Sequence, residues 1–276
     1  MSVYKVSITT NKMKKNQLDQ SRYDIILQPG KKIYFASDMH LGLHPFDKNK
    51  EREKVVVRWL DEIKNDAQEL FLLGDIFDFW YEYKKVVSRG FTRFLGKLAE
   101  LSDHGVKIHY FTGNHDVWVF DYLPKEIGII IHRKPLRVLI NGLHFFLGHG
   151  DGLGPKDHGY KLLKKIFNST FLQFLFSRLH PNFAYMIGHT WSRHSRLSKG
   201  LKSSFKGEDK EYLIVFSRQM LQKEHFDYFI FGHRHIAMDI KLNEKSHYIN
   251  LGEWIKSSNY AVFDGFTVAL LFFSSQ

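Results

Sequence analysis

Short apolar runs recur along the chain, and five of them end in a cluster of polar residues. These segments are KIYFASDMH, ELFLLGDIFD, KIHYFTGNHD, HFFLGHGD and DYFIFGHRH. Continuous apolar runs of this length are typical of strands that are buried on both faces of a sheet. We therefore predict that each strand presents polar side chains from the loop at its C-terminal end.

Apolar residues at helical spacing lie between these predicted strands. Glu51 to Asn65 and Arg89 to Leu101 show this spacing, which predicts two amphipathic helices. Strands that alternate with helices indicate a layered α/β fold with a site at the strand ends. Near the C-terminus, SHYINLGEW and NYAVFDGFTVALLFF are predicted to be strands that complete a sheet.

The alternation of strands and helices breaks between about residues 154 and 224, where the pattern predicts helices. This interval is also unusually aromatic, with Phe167, Phe171, Phe174, Phe176 and Phe183. We predict an N-terminal extension over residues 1–30 and one domain over 31–276. The domain carries a helical insertion, or lid, at about 154–224.

Composition narrows the possible chemistry. The chain has no cysteine, so a metal ion would be bound by His, Asp, Glu, Asn or water. Such a mixed nitrogen and oxygen site favours Mn, Fe, Mg or Zn. No secretion signal and no run of 18 apolar residues is evident, and we expect a cytoplasmic protein.

The net charge of +11 is concentrated in one part of the chain. From Pro155 to Tyr212, eleven lysines and arginines stand against four acidic residues. A basic surface attracts phosphorylated substrates, nucleic acid or an anionic membrane, although any single cation is most simply a solvated surface residue.

The polar clusters contain residue types that bind divalent cations. Asp38 and His40 stand two apart, so both project to one side of an extended segment and can chelate one ion. Asp75 follows a glycine that permits a sharp turn, and its carboxylate could bridge two cations. The remaining candidates are Asn114, His115 and Asp116 in GNHD, His149 in GHGD, and His233 and His235 in GHRH.

Each motif alone is weak, because helix caps, loop turns and packed histidines use the same residues. Together, D-x-H, GD-x-x-D, GNHD, GHGD and GH-x-H resemble in this order the calcineurin-like metallophosphoesterase family. The resemblance spans Asp38 to His235 and implies a four-layer α/β/β/α sandwich. It also implies two metal ions, one held by Asp38, His40, Asp75 and His235, the other by Asp75, Asn114, His149 and His233.

Two ions that share Asp75 would make a water molecule more acidic and would neutralise the oxygens of a phosphate. In this arrangement His115 is not a ligand. A hydrogen bond to Asp116 could hold His115 as a cation that stabilises charge on the phosphate or protonates the leaving oxygen. The alternative is that His115 only orients its neighbours.

Finer features resemble the UDP-2,3-diacylglucosamine diphosphatase family of lipid A biosynthesis. These are SDMHLG, LLGDIFDFW, GHGDG, the helical insertion and GHRH near the end. The resemblance implies Mn-dependent hydrolysis of the substrate's pyrophosphate to UMP and 2,3-diacylglucosamine 1-phosphate. This chain has GNHD where the better-known members have GNRD, which leaves the specificity open.

The insertion has features that a doubly acylated, phosphorylated substrate requires. Phe171, Phe174, Leu175 and Leu179 could line an acyl groove, although a Phe-rich helix is more often ordinary core. Arg193, Arg196 and Lys210 could bind phosphate oxygens. The basic helices could also rest on the anionic inner face of the cytoplasmic membrane as a peripheral contact.

Two other functions fit parts of the pattern. One is a phosphodiesterase for nucleic acid or cyclic nucleotides, but the basic residues accompany phenylalanines and not a nucleic-acid motif, so no nucleic-acid partner is expected. The other is a scaffold that keeps the fold without turnover, which the complete set of candidate ligands opposes. The oligomeric state stays open.

Overall fold

The computed structural model describes residues 23–154, 164–199 and 204–274, without the side chains of Phe46 and residues 194–199. Within these ranges the chain forms two six-stranded sheets. Sheet A contains Tyr23–Ile25 (β1), Leu136–Ile140 (β6), Leu143–Gly148 (β7), Tyr228–Phe231 (β8), Ala237–Asn243 (β9) and Ser246–Leu251 (β10). Sheet B contains Lys32–Ala36 (β2), Ala67–Leu72 (β3), Lys107–Phe111 (β4), Ile130–His132 (β5), Asn259–Phe263 (β11) and Val268–Phe272 (β12).

The helices that the structure describes connect or cover these strands. They are Phe46–Ile63 (α1), Thr92–Asp103 (α2), Tyr122–Ile127 (α3), Thr170–Phe176 (α4), Pro181–Lys199 (α5) and Tyr212–Leu221 (α6). The two helices predicted from apolar spacing correspond to α1 and α2, with bounds shifted by a few residues.

Sheet B has the order β12-β11-β2-β3-β4-β5, and β2 to β5 run parallel. Parallel neighbours require crossover connections, which α1 and α2 supply. Both helices cover one face of the sheet, where Trp59 and Phe94 are fully buried. The ends of β2, β3 and β4 therefore meet at one edge of the sheet.

Sheet A has the order β1-β6-β7-β8-β10-β9, and β7, β8 and β10 run parallel. Helix α6 covers its outer face through Leu213 and Ile214, which pack with Phe146 and Phe229. The inner faces of the two sheets bury a shared core that includes Phe35 and Phe145. The order of layers is helix, sheet, sheet, helix, which confirms the expected sandwich.

The predicted insertion interval contains two kinds of helix. Helix α6 forms the outer layer on sheet A. Helices α4 and α5, and the segment that precedes α4, instead pack on a separate aromatic cluster of Phe79, Tyr81 and Trp118. Trp118 Nε1 donates to the carbonyl oxygen of Phe167 over 2.9 Å, and Tyr81 Oη donates to that of Gln173 over 3.0 Å. These bonds attach the insertion to the loops beside the sheets.

Strand β1 pairs in parallel with β6, so sheet A includes residues that precede the predicted domain start at residue 31. Residues 1–22, and 155–163 and 200–203 of the predicted insertion, lie outside the described ranges. Among the helices in the described part of the chain, none has the length and apolar character needed to cross a membrane.

Candidate metal centre

The five polar motifs converge at the edge where the parallel strands of both sheets end. Asp38 and His40 follow β2, Asp75 follows β3, and His149 follows β7. These four side chains are almost fully buried. Asn114 follows β4, and His233 and His235 follow β8. The topology thus brings together residues that lie almost 200 positions apart in the sequence.

One group of four side chains surrounds a common point. The donor atoms of Asp38, His40, Asp75 and His235 all lie within 4.8 Å of one another. Nε2 of His235 is 3.1 Å from Oδ1 of Asp38 and 3.2 Å from Nε2 of His40. Bonds of about 2.1 Å to one ion place neighbouring ligand atoms roughly 3.0–3.4 Å apart, so these distances suit a shared cation.

A second group shares Asp75 with the first. Nε2 of His149 is 3.3 Å from Oδ2 of Asp75, 3.1 Å from Nδ1 of His233 and 3.4 Å from Oδ1 of Asn114. The same Oδ2 atom of Asp75 lies 3.9 Å from Nε2 of His40 in the first group. One carboxylate oxygen therefore faces both groups.

The hydrogen bonds of the site leave ligand atoms available for a cation. Oδ1 of Asp38 is buried without a hydrogen-bond partner of suitable geometry, an arrangement that is unfavourable unless a cation lies nearby. Nδ1 of His149 contacts the carbonyl oxygen of Leu73 at 2.8 Å. A carbonyl only accepts, so Nδ1 carries a proton and Nε2 is the ring nitrogen that can bind a metal.

The charges of the site reinforce this conclusion. Burial alone would raise the pKa of Asp38, but the adjacent His235 lowers it to about 2. The pKa of Asp75 is also held well below its ordinary value, against the effect of burial, by His149 and His115. Burial would lower the pKa of His149, yet Asp75 raises it to about 10. The carboxylates therefore attract positive charge, either a proton or a metal ion.

The backbone of the site adopts an uncommon conformation. The φ angles are 53° at Asp38, 45° at His40, 52° at Asp75, 67° at His233 and 54° at His235. Non-glycine residues rarely occupy this left-handed region, and such strain concentrates at functional sites. The strands end here, and each strained residue contributes its side chain to one of the two groups, with Asp75 in both.

Two motif glycines allow the loops to approach the carboxylates closely. A Cβ atom at Gly113 would lie 2.2 Å from Oδ1 of Asp75, and one at Gly232 would lie 2.3 Å from Oδ2 of Asp38. Contacts this short exclude any side chain. The glycines of GNHD and GHRH are therefore steric requirements of the site.

His115 lies beside these groups, and its ring is held by residues that sequence reasoning did not identify. Nδ1 is 2.9 Å from Oγ of Ser192 on α5 and 3.1 Å from the carbonyl oxygen of Asp78. Nε2 lies 4.0 Å from Oδ2 of Asp75. Burial lowers the pKa of His115 although the Asp75 and Asp116 carboxylates oppose this shift. Burial thus favours the neutral ring in the absence of ligands, and a cationic role of His115 stays a prediction.

The expected hydrogen bond from His115 to Asp116 is wrong, because the contacts of both side chains lie elsewhere. Asp116 is fully buried, and its carboxylate instead accepts the backbone N–H of Gly113 at 2.7 Å and of Ile76 at 2.8 Å. It also accepts the hydroxyl of Tyr110. Burial and the charge of Asp75 raise the pKa of Asp116 to about 6. Asp116 thus joins the loops that follow β3 and β4.

Asp78 and Ser192 are the additional residues at the site. Oδ1 of Asp78 lies 3.5 Å from Nδ1 of His40, and Oδ2 lies 3.8 Å from Nδ1 of His189 on α5. Asp78 is the last residue of GDIFD, so the motif itself contained a signal for it. Ser192 carries no sequence signal, because it reaches His115 only through packing of the insertion.

Two of the three predicted phosphate-binding residues, Arg193 and Lys210, adjoin in sequence residues that contact the site. Arg193 is exposed and follows Ser192 in the chain. Lys210 is exposed and precedes Glu211, which forms a bidentate pair with Arg234 of GHRH over 2.7 and 2.9 Å. The side chain of Arg196 lies outside the described residues. A phosphate-binding role for these three residues stays a prediction.

Comparison with known proteins agrees with this geometry. Residues 31–237 match the family model of the calcineurin-like phosphoesterases, so the chain belongs to that family of metal-dependent phosphoester hydrolases.

Two proteins that are similar to this chain over most of its length have the same name. The chain is 39% identical over 253 residues to a UDP-2,3-diacylglucosamine hydrolase of Porphyromonas gingivalis, covering 87% of this chain and 96% of the relative. It is 28% identical to the enzyme of that name from Haemophilus influenzae, covering 84% and 93%. A dimetal phosphatase structure from Danio rerio aligns at a TM-score of 0.43 and 13% identity, covering 89% and 96%.

Proposed function

We propose that this protein hydrolyses the pyrophosphate bond of UDP-2,3-diacylglucosamine, with UMP and 2,3-diacylglucosamine 1-phosphate as products. The observation that carries the proposal is the pair of Asp/His groups that share Oδ2 of Asp75. The substrate is proposed from the relative that is 39% identical over most of both chains. The GNHD motif does not alter the donor atoms of either group.

The ligand sets proposed for the two ions follow the two groups. Asp38, His40, Asp75 and His235 would hold one ion, and Asp75, Asn114, His149 and His233 would hold the other. Three nitrogen or oxygen donors besides Asp75 in each set suit Mn best, with Fe, Mg and Zn as alternatives. When bound, two such ions acidify water and neutralise the oxygens of the substrate phosphate.

The side chains of the protein orient and stabilise the reacting phosphate. His115 points Nε2 toward Asp75 because Asp78 and Ser192 hold Nδ1 on the other side of the ring. An anionic phosphate next to Nε2 would favour a proton on that atom, which then hydrogen-bonds to the phosphate or the leaving oxygen. Asp116 acts as a positioning residue, because it holds together the two loops that carry Asp75 and Asn114.

The test is release of UMP from UDP-2,3-diacylglucosamine in the presence of Mn. Asp75→Ala should lower the turnover number by at least about a thousandfold, since both ion sites lose a ligand. Asp239→Ala removes an exposed carboxylate on β9 and should leave turnover unchanged. Absence of UMP release by the unaltered protein with Mn, Fe, Mg or Zn would contradict the proposed reaction.

The same proposal places the protein in the cytoplasm, at the anionic inner surface of the membrane that contains its substrate. Large apolar side chains on α4 and α5 are exposed, among them Phe171 at 66%, Phe174 at 52% and Trp191 at 52%. Apolar side chains grouped in this way favour contact with acyl chains, and Arg178 and Arg193 beside them favour anionic headgroups.

Sedimentation with phosphatidylglycerol vesicles tests this membrane contact. Phe171→Ser combined with Phe174→Ser should reduce the bound fraction several-fold, because each phenylalanine contributes apolar area to the contact. Phe266→Ser is the matched control, because Phe266 is 82% exposed in the turn between β11 and β12. Equal loss of binding in both variants, or no loss in either, would refute the assigned surface.

A further inference from the structure

A cavity of about 560 Å³ adjoins the second group of the metal centre. Its wall includes His149, the adjacent Gly150 and Asp151, and residues 132–135 at the end of β5. Residues 164, 165 and 168 of the insertion also line it. The volume lies in the range that accommodates a small molecule. Since His149 belongs to both the wall and the metal group, a ligand here would lie next to a bound phosphate.

The wall of this cavity is strongly basic. It contains Arg133, Lys134, Lys164 and Lys165, with Asp151 as the acidic residue, which bonds to Lys164 at 2.7 Å. Arg133 donates to the carbonyl oxygens of Val117 and Val119, which hold its guanidinium without cancelling its charge. Among the described residues, neither Lys134 nor Lys165 forms an ion pair with a carboxylate.

His132 gives this wall a rigid element. Its Nε2 is 2.9 Å from Nδ1 of His109, whose Nε2 is 2.9 Å from Oε2 of Glu69. Glu69 and His109 are buried, and the ring of Phe111 stacks on His132 with centroids 4.7 Å apart. Because these contacts already fix the wall, ligand binding does not incur the entropy cost of ordering it.

The other end of the metal centre has a different character. There His40 and His115 adjoin helix α5 through Ser192 and His189, and the insertion buries aromatic rings against Phe79. The proposed substrate has the same asymmetry, since one half is a polar nucleotide and the other carries two acyl chains. We propose that the basic cavity beside His149 binds the uridine monophosphate half, while the acylated half lies toward α4 and α5.

This inference rests on the proposed function, and inhibition by the two products tests it separately. In Lys134→Ala combined with Lys165→Ala, the inhibition constant of UMP should rise roughly tenfold, because two charge-assisted contacts are lost. The inhibition constant of 2,3-diacylglucosamine 1-phosphate should stay within about twofold of its original value. The matched control, Lys241→Ala with Lys245→Ala on the distant β9–β10 hairpin, should change neither constant.

The possible results distinguish the two proposals. If the unaltered protein releases no UMP from the lipid substrate, the proposed function fails. Calorimetric titration of the unaltered protein and the double variant with UMP then still tests whether the cavity binds UMP. If the unaltered protein is active and the double variant binds UMP as tightly as before, the cavity assignment is overturned. It is also overturned if binding of the lipid product weakens instead. Thermal unfolding and Mn content of each variant verify that the fold is retained.

Discussion

At the scale of single residues, the metal centre combines buried charge with a strained backbone. Each left-handed non-glycine residue costs about 1–3 kcal/mol of stability, and the motifs contain five of them. The surrounding sheets maintain this strain because the strand ends are packed on both sides. The result is that the side chains of the two donor groups are in position before any ion binds.

Gly232→Ala should disrupt the site at this scale. The added methyl group would lie 2.3 Å from Oδ2 of Asp38 and 2.5 Å from Oγ of Ser37, so the carboxylate must move. We expect Mn affinity and turnover to fall by at least about tenfold. Gly96→Ala in α2 meets nothing within 4 Å and should raise the free energy of unfolding by about 0.5–1 kcal/mol with activity intact. Similar activity in both variants would contradict this steric argument.

At the scale of elements, the insertion contributes to the site as well as covering it. Helix α5 places the buried Ser192 against His115, and the residue before α6, Glu211, pairs with Arg234 between the two histidines of GHRH. Both contacts join segments that lie far apart in the chain. Movement of either helix would therefore change the orientation of residues at the metal centre.

Ser192→Ala should lower kcat without loss of metal. Removal of one hydrogen bond worth about 1 kcal/mol leaves the His115 ring less well oriented, which corresponds to roughly a fivefold decrease in kcat. KM and Mn content should change little. Ser217→Ala is the control, because Ser217 is equally buried but donates to Leu213 within α6. Unchanged kcat for Ser192→Ala would show that Asp78 alone orients His115.

Glu211→Gln should reveal a pH-dependent contribution to stability. Burial would raise the pKa of Glu211, but Arg234 lowers it below its ordinary value. The pair therefore stabilises the fold above the ordinary carboxyl pKa of about 4.3, and this contribution disappears as pH falls through the lower folded-state pKa.

Urea unfolding at several pH values measures this effect. Near pH 7, Glu211→Gln should lower the free energy of unfolding by about 2 kcal/mol, since Arg234 keeps its charge and loses its partner. Below about pH 4 the difference from the unaltered protein should shrink. Glu244→Gln, on the exposed β9–β10 turn, should show no such difference at either pH. A difference that persists at low pH would contradict the ionic origin.

At the scale of the whole molecule, the metal centre joins the two sheets. Its proposed ligands come from the ends of β2, β3 and β4 in sheet B and of β7 and β8 in sheet A. An ion bound there would crosslink the two sheets of the sandwich. The exposed apolar side chains of α4 and α5 belong to the insertion and not to these strand ends.

Metal removal should therefore lower the thermal stability of the whole domain. Mn at a hundredfold excess over its dissociation constant should contribute about 2.7 kcal/mol, which corresponds to an increase in Tm of roughly 5–10 °C for a chain of this size. Calorimetry after dialysis against a chelator, with and without added Mn, measures this difference. Asp75→Ala should show little increase in Tm. An equal increase in that variant would mean that Mn binds elsewhere.

The motif residues could be identified from sequence because their spacing is local. A carboxylate two positions from an imidazole, and glycines at strand ends, are visible in the chain itself, and apolar runs identified the strands that carry them. The hydrogen-bond donors to Asp116 were not predictable in this way. Its hydrogen bonds come from Gly113 nearby, but also from Ile76 in a loop that only the parallel pairing of β3 and β4 brings into contact.

Sequence by itself thus determined the layered fold, the chemistry of the donor atoms and the family, since strand periodicity and ligand type are properties of short segments. Tertiary structure alone decided that Asp75 faces both groups, that Ser192 holds His115, and that a basic cavity adjoins His149. These features depend on side chains from different strands and helices meeting in space. Their distances are set by how the two sheets and the insertion pack, which no short segment encodes.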